Sequence, residues 1–416
     1  MDTSYPLPDE CKPVFFWGML RHGTRNPSDD DIIILADRLP EIKDRLLESW
    51  SEGNSFLSED LVLYLDLWEF NLKPVDDGAH LTEAGWDEHY GMGERWGARL
   101  DNFIDADKTE VRTSHKSRCR HSSEAFTTGL FGEEAEFYID DSLARFYDDC
   151  PKYLEEIEAN TATYEEVSKF DVSEAFKQII NDVTAKTGVT FGKNDLLAIW
   201  EICRFESAWS RSLTSPWCEV FSLDNLKALE FREDLRYYYS EAYGYNITMD
   251  MTQPVWQDLI SRLEEITLLD SKEHNSTVLL FTHSTATLPF MASLGLYDTS
   301  HSPIAADWPT DNYKWKTSQI ASFATNLVFV VGECESVLNK NLIYNHGSVE
   351  DTEQDSVFIH QIESDPSKTR PDPELKIFLF HQEHPVPIPG LIHNLDAFIN
   401  QYKYKTFIDF NKTCGL

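Results

Sequence analysis

Two histidines, three arginines and a lysine stand at short, distinctive spacings, in Arg21-His22-Gly23-Thr24-Arg25, Lys116-Ser117-Arg118 and Thr282-His283. Phosphoryl transfer asks for such a set: a nucleophile in line with the leaving group, and cations around the equatorial oxygens of phosphorus, where charge must be stabilised. His22 is the candidate nucleophile, attacking through a ring nitrogen to give a phosphohistidine. Gly23 would let the backbone pass tightly behind that ring. Arg21, Arg25, Arg118 and His283 are the candidates to clamp the oxygens by charge-assisted hydrogen bonds, with Thr24 and Lys116 beside them as substrate contacts. A single His after a strand is ordinarily structural, and Arg95, Arg112, Arg120, His115 and His121 read as surface, capping or outlying groups. Two Arg flanking a His are different, because at the end of a buried strand they are costly to place without an anion.

Each segment follows a strand candidate. "PVFFWGML" (Pro13 to Leu20) is a nearly continuous apolar run, as expected of a strand buried on both faces. "EVRTS" (Glu110 to Ser114) precedes a helical stretch from about Arg118 to Leu130, and "STVLLF" (Ser276 to Phe281) precedes a helix with Pro289 in its early turns. In open α/β sheets, ligands bind beyond the carboxyl ends of strands, where helix N-termini offer N–H groups to anions. "TNLVFVVGE" (Thr325 to Glu333), "VFIHQI" (Val357 to Ile362) and "LKIFLFHQE" (Leu375 to Glu383) are further strands, with Asn345 to Asp372 a polar loop carrying an edge strand. Between these groups the period is helical: Phe176, Ile179, Ile180 and Val183 lie between a cap at Ser173 and a stop at Gly188. Leu196, Ile199, Trp200 and Cys203 repeat the stripe, as do Val255, Leu259, Leu263 and Ile266. The expectation is an α/β core over 11–131 and 271–405, with a mostly parallel sheet flanked by helices, interrupted by an all-helical insertion over 132–270.

With 72 acidic against 36 basic residues, the 416-residue chain has a formal charge of -36, which argues against nucleic acid and anionic membranes as partners. The expected ligand is an anionic phosphorylated small molecule, drawn into a local cationic pocket against the global field. Seven cysteines show no zinc-site spacing, so metal binding is unsupported. Sequons at Asn246, Asn275 and Asn411 favour a glycosylated, disulfide-bonded protein of the secretory pathway, extracellular by preference, whose leader is absent from "MDTSYPLPDE". The longest apolar stretch, Val278 to Leu296, is broken by Thr282, His283, Ser284 and Pro289 and does not read as a membrane span.

"RHGTR" at a strand end resembles the histidine acid phosphatase branch of the histidine phosphatase superfamily. "TSHKSRCRHSSEAFTTGLFG" (Thr113 to Gly132), "ARFYDDC" (Ala144 to Cys150), the stretch Ser215 to Tyr245 and "FATNLVFVV" (Phe323 to Val331) look like the multiple inositol polyphosphate phosphatases, so the resemblance covers nearly the whole chain. It implies an α/β core with a helical insertion, a phosphohistidine on His22, phosphate contacts from Arg21, Arg25, Arg118 and His283, and no metal or other cofactor. It also suggests the disulfides Cys119–Cys150, Cys203–Cys218 and Cys11–Cys334, leaving Cys414 odd.

Two departures stand out. Where members of the family carry a Lys for an outlying phosphate, this chain has Asp30, flanked by Asp29 and Asp31. The family's His-Ala-Glu, whose Glu protonates the leaving alkoxide, reads His283-Ser284-Thr285 here, and a hydroxyl is a poor acid near neutral pH. General acid catalysis contributes about 10²- to 10⁴-fold. The expectation is therefore a slow phosphomonoesterase, with a replacement acid available among insertion carboxylates such as Glu230, Glu233, Asp234 and Glu241. The alternative is a secreted pseudophosphatase that keeps the anion pocket and serves a protein partner.

Overall fold

The computed structural model describes residues 7–416 apart from 101–102, 211, 213, 269–275, 300, 310–312, 336–372 and 392. The expected strand at 357–362, the polar stretch 345–372 and the sequon Asn275 lie outside the described residues.

The first apolar run forms β1 (Cys11–Arg21). Its alternation sends Phe15, Trp17 and Met19 to one face of the sheet and Phe16 and Leu20 to the other, and both faces are covered, which is why the run has no polar phase. The other strands are β2 (Thr109–Thr113), β3 (Tyr138–Ile139), β4 (Thr277–Thr282), β5 (Asn326–Cys334), β6 (Glu374–His381) and β7 (His384–Val386). They pair in the order β3-β2-β4-β1-β5-β6-β7. The β3-β2-β4-β1 half is parallel, and β5, β6 and β7 are added antiparallel. Register sets Arg21 beside Thr282 and Thr113 beside Phe281. The residues that follow, His22, Ser114 and His283, therefore leave the sheet at one edge.

The helices Gln253–Leu268, Ser284–Ser293 and Leu395–Tyr402 cover one face with Trp256, Leu259, Phe290 and Phe398. The helices Glu83–Arg99 and Ser117–Phe131 cover the other with Met92, Trp96 and Phe126. Between β3 and β4 the described elements are all helical. The helix Glu174–Thr187 begins where Ser173 accepts a hydrogen bond from the Phe176 N–H and ends at Gly188, whose φ of 69° is left-handed. A second core forms here from Phe176, Ile179, Val183, Leu196, Ile199 and Leu229, and it also takes Leu35, Leu39 and Leu46 from the helix Asp29–Ser51.

The disulfides correct one expectation. Cys11–Cys334 staples β1 to β5 and Cys203–Cys218 closes a short loop, but Cys150 bonds to Cys414 and Cys119 is a free, buried thiol. The first turn of the helix Ser117–Phe131 turns Cys119 inward, with its sulfur 3.5 Å from His283 Nε2, while the C-terminal helix Phe410–Cys414 comes back to Cys150.

Candidate active site

His22 is the first residue beyond β1, and its backbone is fixed on both sides: its N–H donates to Thr282 O at 3.0 Å, and its carbonyl accepts from Ala324 N at 3.0 Å. The ring Nδ1 lies 2.9 Å from the Gly23 carbonyl oxygen. A carbonyl can only accept, so Nδ1 carries the proton and Nε2 keeps its lone pair. The side chain is buried, and burial first, then Arg21, Arg118, His283 and Arg25, hold its pKa well below the ordinary range. His22 is thus a neutral imidazole with one nitrogen available for attack.

The loop after it is braced by tight backbone packing. A Cβ on Gly23 would fall 2.3 Å from the Gly85 carbonyl oxygen, so only glycine fits where this loop crosses the helix Glu83–Arg99. Gly23 N donates to Ser122 Oγ at 3.0 Å. Thr24 donates its N–H and its hydroxyl to Glu88, at 2.8 and 2.7 Å, which makes it a brace for the loop rather than a free substrate contact. His89 Nε2 donates to the Arg21 carbonyl at 3.0 Å, and burial keeps its pKa down to about 4.

Arg21, Arg25 and Arg118 converge on the same place. Arg21 donates to Ala321 O and lies 4.7 Å over the Phe323 ring; Arg25 donates to its neighbour Asn26 O at 2.6 Å. Arg118 Nη2 donates to His283 Nδ1 at 3.2 Å. The Nε atoms of all three, and of Arg145, are buried without a hydrogen-bond partner. Burial lowers the pKa of Arg21, Arg25 and Arg118; Arg118 adds to this at Arg21, Arg118 and Arg21 add to it at Arg25, which comes down to about 10, and Arg145 adds to it at Arg118. Half-buried cations facing one another, as Arg21, Arg25 and Arg118 do, are unfavourable until a multivalent anion joins them.

His283 N-caps the helix Ser284–Ser293 with its ring 5.4 Å from that of His22. Since Arg118 can only donate, His283 Nδ1 accepts and Nε2 carries the proton, donating to Ser114 Oγ at 3.0 Å. Burial and the surrounding Arg residues, Arg118 first, hold its pKa well below the usual value. Both nitrogens are engaged, so the ring holds Arg118 in position, and His283 opens the helix whose first residue, Ser284, reaches the cleft.

A cleft of about 1290 Å³ opens over this floor, lined among others by Arg21, Arg25, Phe205, Tyr237, Ser284 and Phe323. His22, Arg118, His283, Thr285 and Lys116 lie outside its lining, and Lys116 is the N-cap of the helix Ser117–Phe131. Of the four carboxylates expected to reach the cleft, Glu230 accepts from Ser318, Glu233 is tied up by Arg204, Arg232 and Arg236, and Asp234 holds the Thr317 N–H and hydroxyl at 2.7 and 2.6 Å. Glu241 accepts from Thr285 at 3.3 Å.

The three Asp after Pro27 turn out to be the first turn of a helix. Asp31 and Ser28 form a capping box, Asp29 accepts from Val75 N at 2.8 Å, and Asp30 is exposed. Carboxylates are favourable at a helix N-terminus. Only Asp31 lines the cleft, where it faces Arg25.

Residues 16–358 match the family described as the histidine phosphatase superfamily (branch 2). The chain belongs to that superfamily. It is similar to multiple inositol polyphosphate phosphatase 1 of Homo sapiens, 27% identical over 359 residues covering 79% of this chain and 72% of the relative. The Drosophila melanogaster protein of the same name is 26% identical over 362 residues, 82% of this chain and 75% of its own length. Among solved structures, the phytase from D. castellii superposes with a TM-score of 0.72 at 19% identity, over 100% of this chain and 84% of that one. The Bifidobacterium longum multiple inositol polyphosphate phosphatase in complex with inositol hexasulfate gives 0.61 at 15% identity, over 94% and 90%. This branch-2 histidine phosphatase is thus a phosphatase-like enzyme with the superfamily's fold.

Arg145, Ser114, Glu88 and Phe323 complete the surroundings of the branch-2 site without having been singled out in the sequence. Arg145 and Phe323 do fall inside the segments "ARFYDDC" and "FATNLVFVV", and Ser114 ends "EVRTS"; for Glu88 no local signal existed. Among the described residues no cluster of His, Cys, Asp and Glu could hold a metal ion, and no helix is long and apolar enough to cross a membrane.

Proposed function

We propose that this chain hydrolyses phosphate monoesters through a phosphohistidine on His22. The observation that carries the reading is a neutral imidazole whose Nε2 has no hydrogen-bond partner among the described residues, set beside three arginines whose buried Nε atoms are unpaired. Arg21, Arg25 and Arg118 would grip the equatorial oxygens while Nε2 attacks in line, and the N-terminus of the helix Ser284–Ser293, with Ser284 and Thr285, would take part in binding. The sheet edge supplies the nucleophile and clamp, and helices of the insertion wall the cleft together with Asp31 and the segment from Thr317 to Phe323.

Inositol polyphosphates are the substrate class suggested by the relatives' names and by the bound inositol hexasulfate of the bacterial structure. Thr285 in place of the motif's Glu removes the direct proton donor, which slows turnover wherever the leaving group needs a proton and no other group supplies it. Three disulfides, with exposed Asn246 and Asn411 in sequons, support a secreted protein. A second reading, a pseudophosphatase that binds phosphorylated ligands without turnover, draws on that same lost acid.

Rapid mixing with a radiolabelled aryl phosphate, quenched in alkali, separates the two. Label retained on the wild type and absent from His22→Ala supports the enzyme. Absence from both, with inorganic phosphate still raising the melting temperature, overturns it in favour of the binding protein.

A further inference from the structure

The motif residue that should be an acid is Thr285, and its hydroxyl oxygen lies 3.3 Å from one oxygen of Glu241, a contact in which Thr285 donates to the carboxylate and accepts from the protonated acid. The other oxygen of Glu241 is buried and has no partner. Glu241 is the last residue of the helix Leu223–Glu241 in the insertion, whereas Thr285 lies in the first turn of the helix that follows His283. Two chain segments 44 residues apart thus bring a carboxyl group against the one motif position that lost its own. Ser284, next to Thr285, lines the cleft, as does Arg21, whose charge Glu241 senses.

We propose that Glu241 is the proton source for the leaving group, working through the Thr285 hydroxyl. This rests on the phosphohistidine reading above. As His22 Nε2 bonds to phosphorus, the bond from phosphorus to the leaving oxygen breaks. That oxygen takes the Thr285 proton, Thr285 takes the Glu241 proton, and Glu241 is left as a carboxylate. In the second half a water attacks phosphorus, the phosphorus–nitrogen bond breaks and its electron pair returns to Nε2. The water's proton passes through Thr285 to Glu241, restoring both groups.

The surroundings suit a carboxyl that must carry a proton near neutrality. Burial is the largest influence on Glu241; Arg236 on its own helix, Arg21 from β1 and the Thr285 hydrogen bond oppose it, and Glu158 adds to it, leaving the pKa pushed up to about 7. Tyr153 and Tyr164 also face it. The C-terminal end of a helix disfavours a carboxylate further. Glu233 on the same helix is held the other way, below its usual value, by three arginines and is unsuited to the role.

The test uses the full chain as wild type, Glu241→Gln, Thr285→Val and the double variant Glu241→Gln/Thr285→Glu, with p-nitrophenyl phosphate and glycerol 2-phosphate. Glu241→Gln and Thr285→Val are each expected to lower the ratio of kcat/KM for the alkyl ester to that for the aryl ester by about 10²-fold. In Glu241→Gln the limb of the alkyl-ester kcat profile near pH 7 disappears, and Thr285→Glu in that background restores most of the ratio. Melting temperatures with phosphate check that each variant folds; if Glu241→Gln does not, Thr285→Val decides alone. An unchanged ratio, or a wild type that hydrolyses only the aryl ester, overturns the proposal and leaves the phosphohistidine reading standing. A wild type that hydrolyses neither ester and forms no phosphoenzyme overturns both.

Discussion

Gly23 and Gly85 meet backbone to backbone: a Cβ on either would sit within 2.3 Å of a main-chain oxygen, at Gly85 for the first and at Thr24 for the second. The loop carrying His22 is held by this contact as much as by hydrogen bonds. Gly23→Ala is expected to cost about 1–3 kcal/mol of stability by overpacking. It should also lower phosphoenzyme formation by more than tenfold, because displacing the nucleophile by about 1 Å is that costly. Urea unfolding and the alkaline-quench label count check the two parts separately.

The aspartates divide by geometry. Asp31 lines the cleft opposite Arg25, whereas Asp30 is exposed at the start of its helix. Asp31→Asn keeps an acceptor for Ser28 and removes a charge that repels polyanions. It should lower KM for inositol hexakisphosphate on the order of tenfold, given Coulomb energies of a few kcal/mol between partly buried charges. Asp30→Asn should change it less than twofold. Steady-state kinetics at fixed ionic strength distinguish them.

His89 gives a pH signature. Its folded pKa of about 4 lies below the unfolded value near 6.5, so the unfolded chain takes up its proton first on acidification. The stability it contributes is therefore complete above pH 6.5 and is lost as pH falls toward 4. His89→Gln, which can keep a donor for the Arg21 carbonyl, should make the unfolding free energy less steep with pH in that window, by at most about 1.4 kcal/mol per unit. Denaturant titrations at half-unit steps measure the slope.

Cys119 and Cys150 invite a covalent test. Peptide mapping without reduction should recover Cys150 joined to Cys414, and Cys119 should react with alkylating agents only after unfolding, being buried with its pKa pushed up to about 11. Cys150→Ser should cost about 2–5 kcal/mol. Cys119→Ser should leave all three bridges intact on the same map.

What the sequence by itself determined is what short-range physics controls. β1 is legible because an apolar run covered on both faces has no alternation, and the helix Glu174–Thr187 because Ser173 and Gly188 supply local hydrogen bonds and a left-handed turn. His22, its flanking arginines and His283 are legible because strand ends leave loops and helix N-termini at one edge. Even the helix at Asp29 had its capping signal in Ser28 and Asp31. The tertiary structure alone decided that Cys150 meets Cys414 across 264 residues, that Thr24 is spent on Glu88, and that Glu241 comes to rest on Thr285. No local propensity encodes such meetings; they follow from the order in which strands pair and from which helix faces are left to cover the sheet and the cleft.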